Sequence, residues 1–197
     1  FRYEIGIVNR SVMTLSDLCI EEDDVKFYQT LKDNNISINH NFKSTFRFYH
    51  MFGTHPGYKI NEDAIQTTGT NIESAIRGNI HIIEEYIAQM QKLGIYDTST
   101  IIVTADHGSS GGSNTGSLEI PDTACPIMIV KPAGKGVNDA FKISYAPVCH
   151  ADLFPTIISA VGGDSEKYGR TIFDIGEDEQ RDRYYYYTSL YSDVDGE

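Results

Sequence analysis

A chain of 197 residues, 40% hydrophobic and 22% charged, has room for one soluble domain with a real core. Twenty-eight acidic residues against sixteen basic ones leave a net charge of −12, which excludes nucleic acid as a partner because a phosphate backbone needs basic patches. Cys19, Cys125 and Cys149 form no Cys-x-x-Cys pair and are odd in number, so neither a structural zinc site nor a complete disulfide framework is expected. No apolar run approaches the roughly 18 residues of a membrane span.

With Phe1 in place of Met the chain is expected to be an excised piece, so a missing targeting segment says nothing of the parent protein. Residues 3–8 could form a short strand. Residues 21–32 read as a helix. Its acidic first turn, Glu21, Glu22, Asp23 and Asp24, suits the helix dipole, and the plain reading is a solvated helix start. Phe27, Tyr28 and Leu31 would be its apolar face. Residues 45–52 have strand composition and run into the loop Gly53-Thr54-His55-Pro56-Gly57-Tyr58. The longest helix is expected over 71–93. Thr70 or Asn71 would cap it, Gly94 would stop it, and Ile72, Ile76, Ile80, Ile83 and Ile87 share its apolar face.

Residues 101–105 then read as a buried strand ending at Asp106-His107-Gly108. A carboxylate and an imidazole stand side by side at a strand's C-terminal end, where open α/β sheets build their sites, and such a pair can grip one transition-metal ion. A polar loop in which Asp106 merely caps a helix is the plain alternative. Residues 109–116, rich in Ser, Thr and Gly, read as an exposed, flexible loop beside the pair, able to close as a lid. Cys125 is expected in apolar packing before a strand over 126–130. Residues 152–162 read as a helix with an N-terminal Asp, a first-turn Pro and a Gly stop. Tyr184 to Tyr187 would be a strand. Strands alternating with helices imply a mainly parallel central sheet covered by helices on both faces.

Three segments together resemble the sulfatase-like branch of the alkaline phosphatase superfamily. They are Phe48-Tyr49-His50-Met51-Phe52-Gly53-Thr54-His55-Pro56-Gly57-Tyr58, the run from Lys92 through Asp106-His107-Gly108, and Cys149-His150-Ala151-Asp152-Leu153-Phe154-Pro155-Thr156. The first looks most like the bacterial lipoteichoic acid synthase-like sulfatase homologues. The resemblance spans about residues 44 to 175 and implies hydrolysis or transfer at a sulfate or phosphate ester, with the fold above. By it, Asp106 and His107 look like ligands of one divalent metal, manganese or zinc ahead of calcium or magnesium. His55 looks like a catalytic, substrate-binding His, and His150 like the late His of the same pocket. Without the resemblance, His55 could simply bond a turn and His150 could cap the next helix. His40, His50 and His81 match no functional position.

No Cys-x-Pro-x-Arg or Ser-x-Pro-x-Arg nucleophile signature is present. The 197 residues are therefore expected to form a single α/β domain that is the C-terminal portion of a larger catalytic domain, partnered by the missing N-terminal half. The substrate would be a small-molecule or lipid-linked ester, and the parent membrane-anchored or extracytoplasmic by resemblance. The competing class is a binding or structural domain that keeps the fold without the chemistry. His55, Asp106, His107 and His150 should converge at one sheet edge.

Overall fold

An Asn at one end and a Gly at the other set the longest element. In this computed structural model, which describes residues 24–42, 45–108 and 125–183, the chain divides into two units, Phe1–Ser99 and Thr100–Glu197. In the first, α1 spans Asp24–Asn34 and α2 spans Ile72–Lys92. The Asn71 side chain accepts the Ser74 N–H at 2.9 Å, one of the donors a helix start leaves unsatisfied. At the other end Gly94 sits at φ +69°, the left-handed conformation that costs glycine nothing. Its N–H donates to Gln91 and that of Ile95 to Met90, the paired closure of a Schellman motif.

The buried face of α2 is not the predicted isoleucine stripe. Ile72, Ile76 and Ile80 are exposed, whereas Ala75, Gly78, Ile82 and Gln89 are buried. These four keep helical spacing, and two of them, Ala75 and Gly78, are small, so α2 can lie close against the loop at Ile60 and Asn61. Tyr28, Ile60, Ala64, Ala75 and Ile82 make the core, with Val25, Phe27, Met51 and Tyr58 against it. Leu31 and Tyr28 of α1 are buried as predicted. Gln89 ties the two helices: it accepts the Ile36 N–H at 2.7 Å and donates to the Leu31 carbonyl at 3.0 Å, satisfying a carbonyl near the end of α1. His81 packs edge-on against Tyr28 and shares a 2.9 Å hydrogen bond with its hydroxyl.

Residues 45–52 form no strand. Strand composition favours extension without supplying a ladder partner. Side chains hold the segment instead. Arg47 donates to Tyr86 Oη at 3.2 Å and to the Ser37 carbonyl, while the Tyr49 and Tyr86 hydroxyls lie 3.0 Å apart. Burial, then the bond to Tyr86, pushes the Tyr49 hydroxyl above its ordinary range, so it stays neutral.

In the second unit β1 (Ile101–Thr104) pairs antiparallel with β2 (Met128–Lys131), Ile101 opposite Lys131 and Thr104 opposite Met128. The expected parallel pairing is thus not seen in this sheet, the only one among the described residues. No helical pattern lies in the sequence between the two strands, and an antiparallel return needs no crossover helix. Cys125 is exposed, not packed as expected, because it precedes β2 rather than joining it.

α3 (Leu153–Ala160) follows a 3-10 turn over His150–Asp152 and ends in a second Schellman closure at Gly162 and Gly163. Thr156 donates to the Asp152 carbonyl at 2.6 Å and accepts the Ile172 N–H at 2.9 Å, so the buried side of α3 is also hydrogen-bonded. Among the described residues no helix is long and apolar enough to cross a membrane. The strands expected at 3–8 and 184–187, the loop 109–116 and Cys19 lie outside the described residues.

Candidate functional site

β1 ends at Thr104, and Asp106 and His107 follow at once on an exposed bend. Asp106 turns its carboxylate back on the chain, accepting the His107 N–H at 2.9 Å. His107 Nδ1 lies 2.6 Å from the Gly108 carbonyl. A carbonyl can only accept, so Nδ1 carries the proton and Nε2 keeps its lone pair. That is the ligand form of imidazole, oriented by a backbone carbonyl as metal-bound histidines usually are. Nε2 lies 3.8 Å from Asp106 Oδ2. Two ligands bound at about 2.1 Å on a tetrahedral centre stand roughly 3.4 Å apart, so a small side-chain rotation would bring both donors onto one ion.

The pair therefore fits a divalent metal as two of its ligands. Among the described residues no three His, Cys, Asp or Glu side chains gather into a metal-sized group.

His150 opens the 3-10 turn before α3 and is exposed. Its side chain does not cap α3; Nε2 lies 3.5 Å from Thr104 Oγ1, at the strand end that leads to Asp106. Thr104 itself donates to the Ile127 carbonyl at 2.8 Å. The residues after His150 hold it from below. Asp152, its side chain 5% exposed, accepts the Cys149 N–H at 2.8 Å and receives both arms of Arg181 at 3.0 Å. Burial opposes the charge on Asp152, yet Arg181 and the Cys149 N–H together hold its carboxyl below the usual carboxylate range. The segment from His150 to Thr156 thus leaves the imidazole exposed and buries Asp152 and Thr156, whose hydrogen bonds fix it.

His55 belongs to the first unit. It is exposed, its Nδ1 3.1 Å from the Pro56 carbonyl and its ring 5.0 Å from that of Phe52. The carbonyl again assigns the proton to Nδ1. In the doubly protonated ring Nε2–H is left to donate to an anion. The structure thus brings Asp106, His107 and His150 to one end of β1, and carries His55 on a separate loop of the other unit.

Asp24 shows what sequence reasoning missed. Expected as part of a solvated acidic turn, it is only 8% exposed. It accepts the N–H groups of Phe52 and Gly53 at 3.0 and 2.9 Å. The signal was its phase: Asp24 lies four residues before Tyr28 and seven before Leu31, on the same face of α1.

No curated protein and no solved structure matches the chain. The Sulfatase family profile matches residues 16–163, well over half of the sequence, including all of the first two motifs and the third. On that match the chain belongs to the sulfatase family.

Proposed function

We propose that this chain supplies part of the active site of a metal-dependent hydrolase or transferase acting on sulfate or phosphate esters. Membership of the family implies an α/β fold and a sulfatase-like hydrolase as the parent activity. The mainly parallel central sheet is part of the proposal, with the antiparallel β1–β2 pair as an edge of a mixed sheet. So are the affinity with lipoteichoic acid synthase-like homologues and the place of these residues as the C-terminal portion of one catalytic domain. The observation that carries the reading is the Asp106–His107 pair, whose backbone-pinned imidazole leaves Nε2 open beside a carboxylate.

Asp106 and His107 would hold a divalent ion, manganese or zinc by the imidazole's preference for softer metals. When bound, the ion polarises the ester and neutralises charge on its oxygens. His55 donates through Nε2–H to a non-bridging oxygen or to the leaving group. His150, exposed at the same strand end as the metal pair, would help to orient the ester. The nucleophile would come from sequence other than these 197 residues, since the Cys-x-Pro-x-Arg and Ser-x-Pro-x-Arg signatures are missing from them. The purified chain should then turn over neither aryl sulfate nor aryl phosphate.

Calorimetry with manganese and with zinc tests the metal assignment. The chain should bind weakly, with a dissociation constant above about 1 μM, because two ligands replace the three or more of a full catalytic site. His107→Ala and Asp106→Ala should each weaken that binding further. Binding indifferent to both substitutions would remove the pair from the metal site. Submicromolar binding lost in His107→Ala would mean that the chain holds a complete site, against the partial one proposed.

A further inference from the structure

We infer that Asp24 is a positioning residue for His55: its buried carboxylate clamps the start of the loop that presents the imidazole. The inference rests on the role proposed for His55. The geometry is specific. Each carboxylate oxygen takes one N–H from successive residues, Phe52 to Oδ1 and Gly53 to Oδ2. Two parallel bonds to one planar group fix both the position and the direction of the backbone where they meet. Two residues beyond Gly53 the chain reaches His55, whose ring packs at 5.0 Å against the Phe52 ring. Phe52 is thus held at its backbone by Asp24 and touches the imidazole with its side chain. The Lys59 ammonium lies 4.6 Å from the centre of the same ring.

Asp24 is in turn held by α1, whose Tyr28 and Leu31 are anchored in the core. The clamp therefore transfers the rigidity of a packed helix to an exposed loop. An acidic residue suits this task. It can accept two N–H groups at once, and its charge strengthens both bonds. Asparagine would accept one and present an NH₂ to the other.

Asp24→Asn tests the clamp directly. In the labelled full chain, amide exchange at Phe52 and Gly53 should quicken about tenfold, since a charge-assisted bond is lost at one of the two donors. Unchanged exchange at both amides would overturn the inference, whatever substrate the enzyme takes. The second arm uses the complete enzyme with manganese and 4-nitrophenyl sulfate or phosphate. Asp24→Asn should lower kcat/KM about tenfold, as a loosened catalytic group does. In the His55→Ala background the same substitution should cost nothing further, because its whole effect passes through the imidazole. A purely structural role would lower activity equally in both backgrounds and would overturn the inference. If His55→Ala alone leaves kcat/KM intact, the role proposed for His55 falls, and positioning by Asp24 with it, while the exchange result still reports the clamp. Asp24→Glu covers the case in which the Asn variant fails to fold. It keeps the charge, lengthens the side chain by one methylene, and should show the same non-additivity at a smaller loss.

Discussion

Gly78→Ala is expected to destabilise the first unit by about 3 kcal/mol, although alanine is the better helix former. Two effects oppose each other. Gly78 lies inside α2, where replacing Gly by Ala ordinarily gains up to about 1 kcal/mol. Here an added Cβ would run into the backbone carbonyl of Asn61 and lie 3.1 Å from Ile60 Cδ1. A flexible side chain could swing away; this carbonyl cannot. Asn61 sits in a tight turn that it bonds from several sides. Its N–H donates to Ile65, its carbonyl accepts Ala64, and its side chain accepts the N–H groups of Asp63 and Ile65. Ala64, fully buried at φ +55°, fixes the turn from beneath. Relief must come from moving α2 as a body, which pulls Ala75 and Ile82 from the core. Overpacking of this kind costs about 1–3 kcal/mol where side chains can shift, and the rigid partner places this site at or beyond the upper end. Thermal unfolding followed by circular dichroism checks the sign. A midpoint equal to or above that of the parent chain would mean that helix propensity wins and that the turn at Asn61 is softer than its hydrogen bonds imply.

The same glycine marks how far the sequence could be read. The bounds of α2 were legible because Asn71 and Gly94 act through local backbone chemistry that needs no partner. Its buried face was not. Five isoleucines at helical spacing outweigh Ala75, Gly78 and Gln89 on any hydrophobic count, yet close approach to the Asn61 turn selects small side chains and leaves Ile72, Ile76 and Ile80 exposed. Residues 45–52 failed as a strand for a related reason: a ladder is a property of two segments, and composition describes one. The alternation of elements implied a mainly parallel sheet, and the pair that the described residues show, β1 with β2, is antiparallel, because alternation fixes neither which strands pair nor their direction. The family was more legible than the fold. Asp106 and His107 are neighbours in sequence, so their geometry is nearly local, and the match over residues 16–163 agrees with the motifs that carried the resemblance. The phase of Asp24 pointed to its burial, but its partners could not be read, because Phe52 and Gly53 lie 28 and 29 residues away and bind it through backbone N–H groups that carry no side-chain signature.

The second large effect is expected at Arg181. Arg181→Ala should destabilise the second unit by about 3 kcal/mol at neutral pH, the low end for breaking a buried ion pair, because Arg181 itself is 25% exposed. The loss is mostly that of Asp152, left charged and buried with the Cys149 N–H as its remaining partner. The pH dependence separates this account from simple loss of packing. In the parent chain Asp152 titrates below its unfolded value of about 3.8, so its contribution is complete above that pH and fades as pH falls through the depressed folded value. In the variant only the Cys149 N–H is left to oppose burial, the largest single cause, and the folded carboxyl moves up instead. The folded variant then takes up a proton more readily than the unfolded chain, and acid favours its folded state at this residue. The difference in stability between the two proteins should be widest near pH 7 and narrow as pH falls, first through the variant's raised value and then through the parent's depressed one, below which Asp152 is neutral in both. Asp152→Asn should suffer less than Arg181→Ala at pH 7, since it removes the buried charge and keeps an acceptor for Cys149. Urea titrations at pH 3.5 and pH 7 measure all of these differences. A constant gap between parent and Arg181→Ala across that range would show that the guanidinium contributes by packing alone and that Asp152 does not depend on it for its charge.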